Sequence, residues 1–399
     1  MSWTETTIGE IATVVGGGTP STQVAAYWGG SIPWFTPAEI PESGAGVVTA
    51  SERSITETGL AKSAAKLLPP GAVLVTSRAS IGNCAIAGVP VSTNQGFSSL
   101  VPKDARSTRF LYYWVQQHRV RFLSRSAGST FLEINASKVR EIDIVAPTTP
   151  EQVAIGEAIV AADDLIVTLG RLIAKKRAIK EGMMQQLLTG RTRLPGFDSE
   201  WRTRRIGEFT QVRAGGTPST SVVRYWGGSI RWMSSGEIHG KRITEVAGRI
   251  TEMGLRESAA QLLPAGTVLM ALAGQGKTRG TVAVSRVDLS TNQSIAGILP
   301  SVEHDPDFLF YNLDKRYAEL RGESSGDGGR GGLNLTIIKN LDVLMPELAE
   351  QQAISTALGA IDDELGALDR RLTKAHAIKQ GMMQQLLTGR TRLPVEDTV

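Results

Sequence analysis

One cysteine, Cys84, in 399 residues excludes an intramolecular disulfide and suits a reducing compartment. The four histidines, His118, His239, His304 and His376, lie far apart, with no cysteine or carboxylate at metal-ligand spacing. No run approaches 18 apolar residues, so no membrane span is expected. The opening MSWTETTIGE lacks the basic start and apolar core of a signal peptide, which makes cytoplasm the expected location. Catalytic signatures are missing too. There is no G-x-S-x-G elbow and no Asn/Asp-Pro-Pro-aromatic run of the adenine methyltransferase type. GQGKT at 274–278 resembles a phosphate-binding loop, but that motif needs glycine where Ala271 stands. No catalytic or metal-binding residue is therefore assigned. The composition, 41% hydrophobic and 21% charged, is that of a soluble globular protein. A net charge of +4 permits a nucleic-acid or acidic partner without establishing one.

What the chain does have is a repeat. GMMQQLLTGRTRLP runs from Gly182 to Pro195 and again from Gly381 to Pro394, an offset of 199 in a chain of 399. A repeat of this length means two large units end to end, not a solenoid. Other pairs follow at an offset of 198: Trp3 and Trp201, GGTPST at Gly17 and Gly215, YWGGSI at Tyr27 and Tyr225, STNQ at Ser92 and Ser290. Between them the offset drops to 195, at ITETGL (Ile55) and ITEMGL (Ile250), so the second copy is three residues shorter somewhere between Glu39 and Ile55. GGTPST has the chemistry of a tight exposed turn. The Tyr and Trp residues beside it are read first as core. AVLVTS (72–77), CAIA (84–87) and FSSLV (97–101) read as strands, and one helix is predicted from about Arg109 to Leu123.

The last part of each copy differs in kind. Thr149 is placed as a helix cap, with Pro150 first in the helix and Gln152 completing a capping box. Apolar residues then recur in steps of four and three: Ile155, Ile159, Ala162, Ile166, Leu169, Ile173, and in the second copy Ile354, Leu358, Ile361, Leu365, Leu368, Leu372. This is a coiled-coil seam. Lys180 and Lys379 interrupt it, and Gly190 and Gly389 stand where a C-terminal cap belongs. A helix of about 40 residues spans roughly 60 Å. A lone apolar stripe must be buried, and the nearest partner is its own repeat. The predicted fold is α/β (α+β): two globular domains related by internal repeat, joined by two long helices packed as an antiparallel coiled coil, a dumbbell. The boundaries are 1–147 for domain 1, 148–192 for its helix, 193–346 for domain 2, 347–392 for the second helix and 393–399 for the tail.

Seven basic residues against one acid, Glu181, lie between Arg171 and Arg193, and the stretch from Arg370 to Arg392 is similarly basic. They form either a solvated helix face or a surface for phosphates or an acidic protein.

Taken together and in order, the opening Trp with IGEI, GGTPST, YWGGSIPW, ITETGL, LLPPG, SRASIGNCAI, STNQGF and MMQQLLTGRTRLP resemble the specificity subunit of type I restriction-modification systems, over essentially the whole chain. The resemblance implies two target-recognition domains, each reading one half of a split, asymmetric double-stranded DNA site. The helices would act as ruler and dock for two modification subunits, which bring S-adenosylmethionine and methylate adenine. Restriction subunits, which use ATP and magnesium, can join them. This chain would hold no cofactor and catalyse nothing itself. On this resemblance the DNA contacts fall to loops. In GGTPST they are Thr19, Ser21 and Thr22, with Thr217, Ser219 and Thr220 in the second copy. In STNQ they are Asn94 and Gln95, with Asn292 and Gln293. Ser129 and Thr130 in the Gly/Ser loop have Arg330 as counterpart. Arg78 and Ser80 in SRASIG face the longer LAGQGKTRG, with Gln275, Lys277, Thr278 and Arg279. Here the second copy departs from the first, so its contacts differ. Rival readings are the subunit of a related split-site system with a fused methylase-nuclease partner, a paired carbohydrate- or peptide-binding scaffold, and a cryptic hydrolase.

Overall fold

The computed structural model describes residues 3–127, 132–274, 277–323 and 333–394. Of the candidates, Ser129, Thr130, Gln275 and Arg330 lie outside these residues. The chain forms two compact units, Met1–Arg171 with Asp369–Val399, and Leu172–Leu368.

The first repeat begins with β1 (Thr4–Thr7), the single turn α1 (Ile8–Ile11), β2 (Ala12–Gly16), β3 (Trp28–Phe35), β4 (Val47–Val48), β5 (Arg53–Ile55) and α2 (Glu57–Ala61). It continues with β6 (Val73–Val75), β7 (Cys84–Ala87), β8 (Ser92–Thr93), β9 (Ser98–Pro102), α3 (Thr108–Gln117), α4 (Arg119–Ser124), α5 (Ala136–Arg140), β10 (Asp143–Ala146) and the long helix α6 (Thr149–Leu187). The sheets run β2-β9-β6-β7-β4, β5-β3-β8 and β1-β10. β4–β7 and β3–β8 are parallel pairs, and the rest are antiparallel.

The second repeat reproduces each of these. Its strands are β11 (Arg202–Arg205), β12 (Val212–Ala214), β13 (Trp226–Met233), β14 (Arg242–Ile243), β15 (Gly248–Ile250), β16 (Val268–Ala271), β17 (Val282–Ser285), β18 (Ser290–Thr291), β19 (Ile295–Ile298) and β20 (Asp342–Met345). They are ordered β12-β19-β16-β17-β14, β15-β13-β18 and β11-β20. Its helices are α7 (Ile206–Phe209), α8 (Glu252–Arg256), α9 (Pro306–Lys315), α10 (Tyr317–Glu323), α11 (Leu335–Lys339) and α12 (Leu348–Leu386).

Each larger sheet is covered on both faces. In β6, Val73 and Val75 join one core, with Phe110, Leu111 and Trp114 of α3. Leu74 points the other way, to Phe35, Ile40, Leu68 and Phe97. Alternation along a strand sends neighbours to opposite faces, so a strand buried on both reads as a continuous apolar run. In β16, Val268 and Met270 share a core with Phe308 and Tyr311, while Leu269 and Ala271 pack with Ile238 and Leu289. Helix α3 is buried all round from Phe110 to Val115. It also stops earlier than the single helix expected to Leu123. His118 leaves helical geometry at φ −109°, ψ 25° and stacks on Trp114 at 4.5 Å, and α4 begins afresh.

Helices α6 and α12 each span 39 residues. The capping box expected at Thr149 does not form. Gln152 instead donates its side-chain amide to the Pro147 carbonyl at 2.9 Å, and its backbone N–H reaches Thr148. The other end is as expected: Gly190 and Gly389 take positive φ, 67° and 72°, which glycine adopts without strain. Within each unit the two helices pack antiparallel. In the first, Glu151 meets Arg392 and Asp163 meets Lys379. In the second, Glu350 meets Arg193 and Asp362 meets Lys180. Leu169, Ile173, Leu365 and Leu368 are buried along the seam, and Ile166, Ile361 and Leu372 are half-buried. Ile155 and Ile159, like Ile354 and Leu358, are part of their own domain's core instead.

The lysines that interrupt the seam have partners. Lys379 bonds Asp163 at 2.7 Å, and Asp163 also accepts from the Tyr113 hydroxyl at 2.6 Å. Lys180, Asp362 and Tyr311 repeat the arrangement at 2.5 and 2.6 Å. Burial first, then the aspartate beside each, pushes both phenols well above the usual tyrosine range.

The repeated peptide docks at the helix end. Leu386 and Leu387 are buried in the first unit's core, with Met382, Met383 and Leu393 against it. Leu187 and Leu188 do the same in the second. Arg392 clamps Glu151 through two bonds of 2.6 Å, and Trp3 donates to the same carboxylate at 3.2 Å. Arg193, Glu350 and Trp201 are the matching set. Burial raises the Glu151 pKa, but the arginine and tryptophan hydrogen bonds outweigh it and hold the carboxyl below its ordinary range.

Candidate nucleic-acid interface

The GGTPST turn is shaped by backbone contact. A Cβ on Gly17 would lie 1.9 Å from the Asn94 carbonyl oxygen, and one on Gly18 2.3 Å from the Ala64 carbonyl carbon. Only glycine allows this approach. Two indoles then pin the turn. Trp34 donates to the Gly18 carbonyl at 2.9 Å and Trp28 to that of Ser21 at 3.1 Å. The first reading of these tryptophans as core holds for Trp34, 4% exposed, but Trp28 is half-buried. The result is an exposed Thr19, Ser21 and Thr22, with Thr19 donating to the Gln95 side chain at 2.5 Å. Thr217 and Gln293 pair identically, and Trp226 and Trp232 bond the Ser219 and Gly216 carbonyls at 3.2 and 3.0 Å. The structure thus brings the GGTPST and STNQ candidates together in each domain. Thr220 is exposed, and Ser219 bonds Ser221 at 2.8 Å. Asn94 and Asn292 are occupied in turns, accepting from the Gly96 and Ser294 backbones.

The SRASIG loop lies between β6 and β7. Ala79 adopts φ +57°, a left-handed conformation that costs a non-glycine residue about 1–2 kcal/mol. Arg78 is exposed and pairs with Glu133 at 2.8 Å. The Ser80 hydroxyl is buried. In the second domain Lys277 is exposed, while its carbonyl accepts from Tyr317 and Thr281 at 2.9 Å. Thr278 lies 3.3 Å from the His239 ring, and Arg279 is half-buried and engaged. Of the basic helix stretch, Lys176, Lys180 and Arg193 are taken up by Glu364, Asp362 and Glu350. That much of the charge serves helix packing.

One residue that the sequence did not mark stands out by geometry. Arg53 on β5 lies with its guanidinium carbon 3.6 Å over the Trp28 ring. Its neighbours, ASERSIT, carry no motif that would have singled it out.

The type I restriction modification DNA specificity domain matches residues 1–176 and 198–374, one copy on each repeat. The chain belongs to this family. It is a type I specificity subunit, and its two repeats are two specificity domains. It is 24% identical over 98% of its length to the type I restriction enzyme MjaIX specificity subunit of Methanocaldococcus jannaschii, covering 94% of that protein. The EcoR124I/EcoR124II specificity subunit of Escherichia coli is 30% identical over 40% of each chain. Among solved structures, the S subunit from M. genitalium superposes with a TM-score of 0.61 at 15% identity, covering all of this chain and 97% of that one. The HsdS subunit from Thermoanaerobacter tengcongensis gives 0.55 at 18% identity, covering 98% and 97%. At these identities the likeness is one of fold. Among the described residues of this specificity subunit, no cluster of three His, Cys, Asp or Glu is placed to hold a metal. No helix there is long and apolar enough to cross a membrane.

Proposed function

We propose that each domain of this subunit reads one half of a bipartite, asymmetric DNA site, and that the α6–α12 pair docks two methyltransferase subunits. The single observation that carries this reading is a shared scaffold with unlike loops. Sheets and pinned turns recur in both domains, but between β6 and β7 the first has SRASIG (77–82), and between β16 and β17 the second has LAGQGKTRG (272–280). Identical halves would read identical bases. Unequal loops, carrying Arg78 in one and Lys277, Thr278 and Arg279 in the other, present different donors to base edges and phosphates. Thr19, Ser21, Thr22 and Gln95, with Thr217, Ser219, Thr220 and Gln293, are exposed or half-buried beside them and suit phosphate or base contact. Ser80 is left out, because its hydroxyl is buried.

Docking of the methyltransferase is supported by the repeated peptide. Its fourteen residues are identical in both copies although the domains they complete have diverged. In the second unit a cavity of about 690 Å³ opens beside this peptide, lined by Arg177, Lys180, Arg191 and Lys315 with one carboxylate, Glu181. It suits an acidic partner segment. The chain itself is proposed to be non-catalytic. S-adenosylmethionine is expected in the methyltransferase subunits, ATP and magnesium in restriction subunits. The buried Cys84 thiol, whose pKa burial drives up, suits the reducing cytoplasm.

Mapping methylated adenines in the host genome tests the reading. The expected result is one split motif whose halves differ. A continuous or perfectly palindromic motif would overturn it.

A further inference from the structure

Trp28 and Trp34 meet edge to face in the first domain, centroids 5.0 Å apart. β5 runs antiparallel to β3 and sets Arg53 opposite Trp34. The arginine then turns over the tryptophans, 3.6 Å from the Trp28 centroid and 5.6 Å from that of Trp34. Its side chain is exposed, and its contacts among the described residues are with these two rings. A guanidinium stacked by its face keeps its edge N–H donors available. Stacking also fixes the plane and removes rotamer freedom before any ligand arrives, so little more is lost on binding. Thr19, Ser21 and Gln95 surround the same pinned turn, so the arginine stands in a polar, solvent-facing patch.

The second domain builds the same platform without the arginine. Trp226 and Trp232 meet edge to face at 5.0 Å, and the same indole bonds hold the turn. Opposite Trp232, however, stands Gly248. A Cβ there would lie 2.3 Å from the Trp232 carbonyl oxygen, so this backbone admits no side chain. The arginines nearby, Arg231 and Arg249, pair with Glu245 at 3.4 and 2.5 Å. Their charge is answered locally, and that of Arg53 is not.

We propose that Arg53, held on the Trp28 face, is a base-reading residue of the first domain, directed at a guanine edge in the major groove, and that the second domain lacks this contact. A fixed planar fork matches the O6 and N7 acceptors of guanine, which no other base presents as an adjacent pair of acceptors. This rests on the split-site reading above.

The test uses the full subunit assembled with its methyltransferase partners and a library of single-base variants of its site. Arg53→Ala should abolish preference at one guanine in one half-site, with affinity for the native site falling roughly 5- to 150-fold. Arg53→Lys keeps a cation over the indole, and hence the local packing, but has no fork. It should weaken the same preference while retaining binding to unrelated DNA. Thermal unfolding of both variants should match the parent. Equal loss on every sequence, with a shallower salt dependence, would make Arg53 a phosphate contact and overturn the inference. Unchanged base preference would overturn it as well. If the unaltered complex shows no preference in either half-site, it is the split-site reading that fails.

Discussion

His304 shows how one residue can set the two domains apart. It is 2% exposed and bonded through Nδ1 to the Ser301 hydroxyl at 2.8 Å, with Phe209 5.3 Å from its ring. Burial lowers its pKa to about 4, only partly opposed by Glu303. In the unfolded chain a histidine titrates near 6.5. Between these values the unfolded state binds the extra proton, so stability is full above pH ~6.5 and is lost as pH falls toward ~4. The loss reaches roughly 3 kcal/mol. The matching position of the first repeat is Arg106, which stays charged throughout. Hydrogen exchange on both units between pH 7.5 and 4.5 should show the second losing protection through this residue, and His304→Gln should flatten that slope. An unaltered slope would show that another group is responsible. The sequence showed His304 only as a scattered histidine. Its neutrality follows from a core assembled by residues nearly a hundred positions apart in the chain.

At the scale of elements, the long helices were legible because their period is local. The four-three spacing, the glycine stops and the length all follow from a helix's geometry. The start departs from the capping-box pattern at Gln152, whose side chain answers a carbonyl before the helix and not an N-terminal N–H. Propensity could not choose between these two bonds. The seam lysines read as interruptions, yet Lys180 and Lys379 each find an aspartate and a tyrosine ring. Replacing both Ile166 and Leu365 with Asp places charge on the seam, at one half-buried and one buried position. Burying unpaired charge costs several kcal/mol. Helix content near the seam should fall in hydrogen exchange, and assembly with the methyltransferase should fail. Full assembly of the double variant would show that the seam lies elsewhere. The Glu151–Arg392 clamp has the same sign of pH dependence as His304, displaced to lower pH. A depressed carboxyl contributes stability above its unfolded value of about 4.3 and loses it only as pH falls further.

At the scale of the molecule, the last helix turns complete the first domain. Leu386 and Leu387 are buried with Phe110 and Trp114, residues of the opposite end of the chain. Leu386→Ala should therefore cost the first unit about 2–5 kcal/mol, the usual range for a large core truncation. Exchange protection should fall in α3 and β6 while α9 and β16 keep theirs. An equal fall in both units would mean that they unfold as one. The two copies of the repeated peptide are anchored alike. Each copy meets the same partners, a tryptophan, a glutamate and a domain core.

The order of residues alone determined the repeat, its offset, the three-residue shortening, the two long helices and the family resemblance. These depend on local chemistry and on comparing one half of the chain with the other. It also placed candidate loops, because turns need glycine, proline and short polar side chains. It did not decide what those loops' side chains face. That Arg78 lies against Glu133, that Ser80 is buried, and that Arg53 rests on Trp28 are outcomes of strand register and loop closure. Nor did it decide which helix half completes which core. Such contacts join residues up to 241 positions apart, through the Arg392 bond to Glu151. Their choice depends on which surfaces the fold brings within a few ångströms, and only tertiary packing settles that.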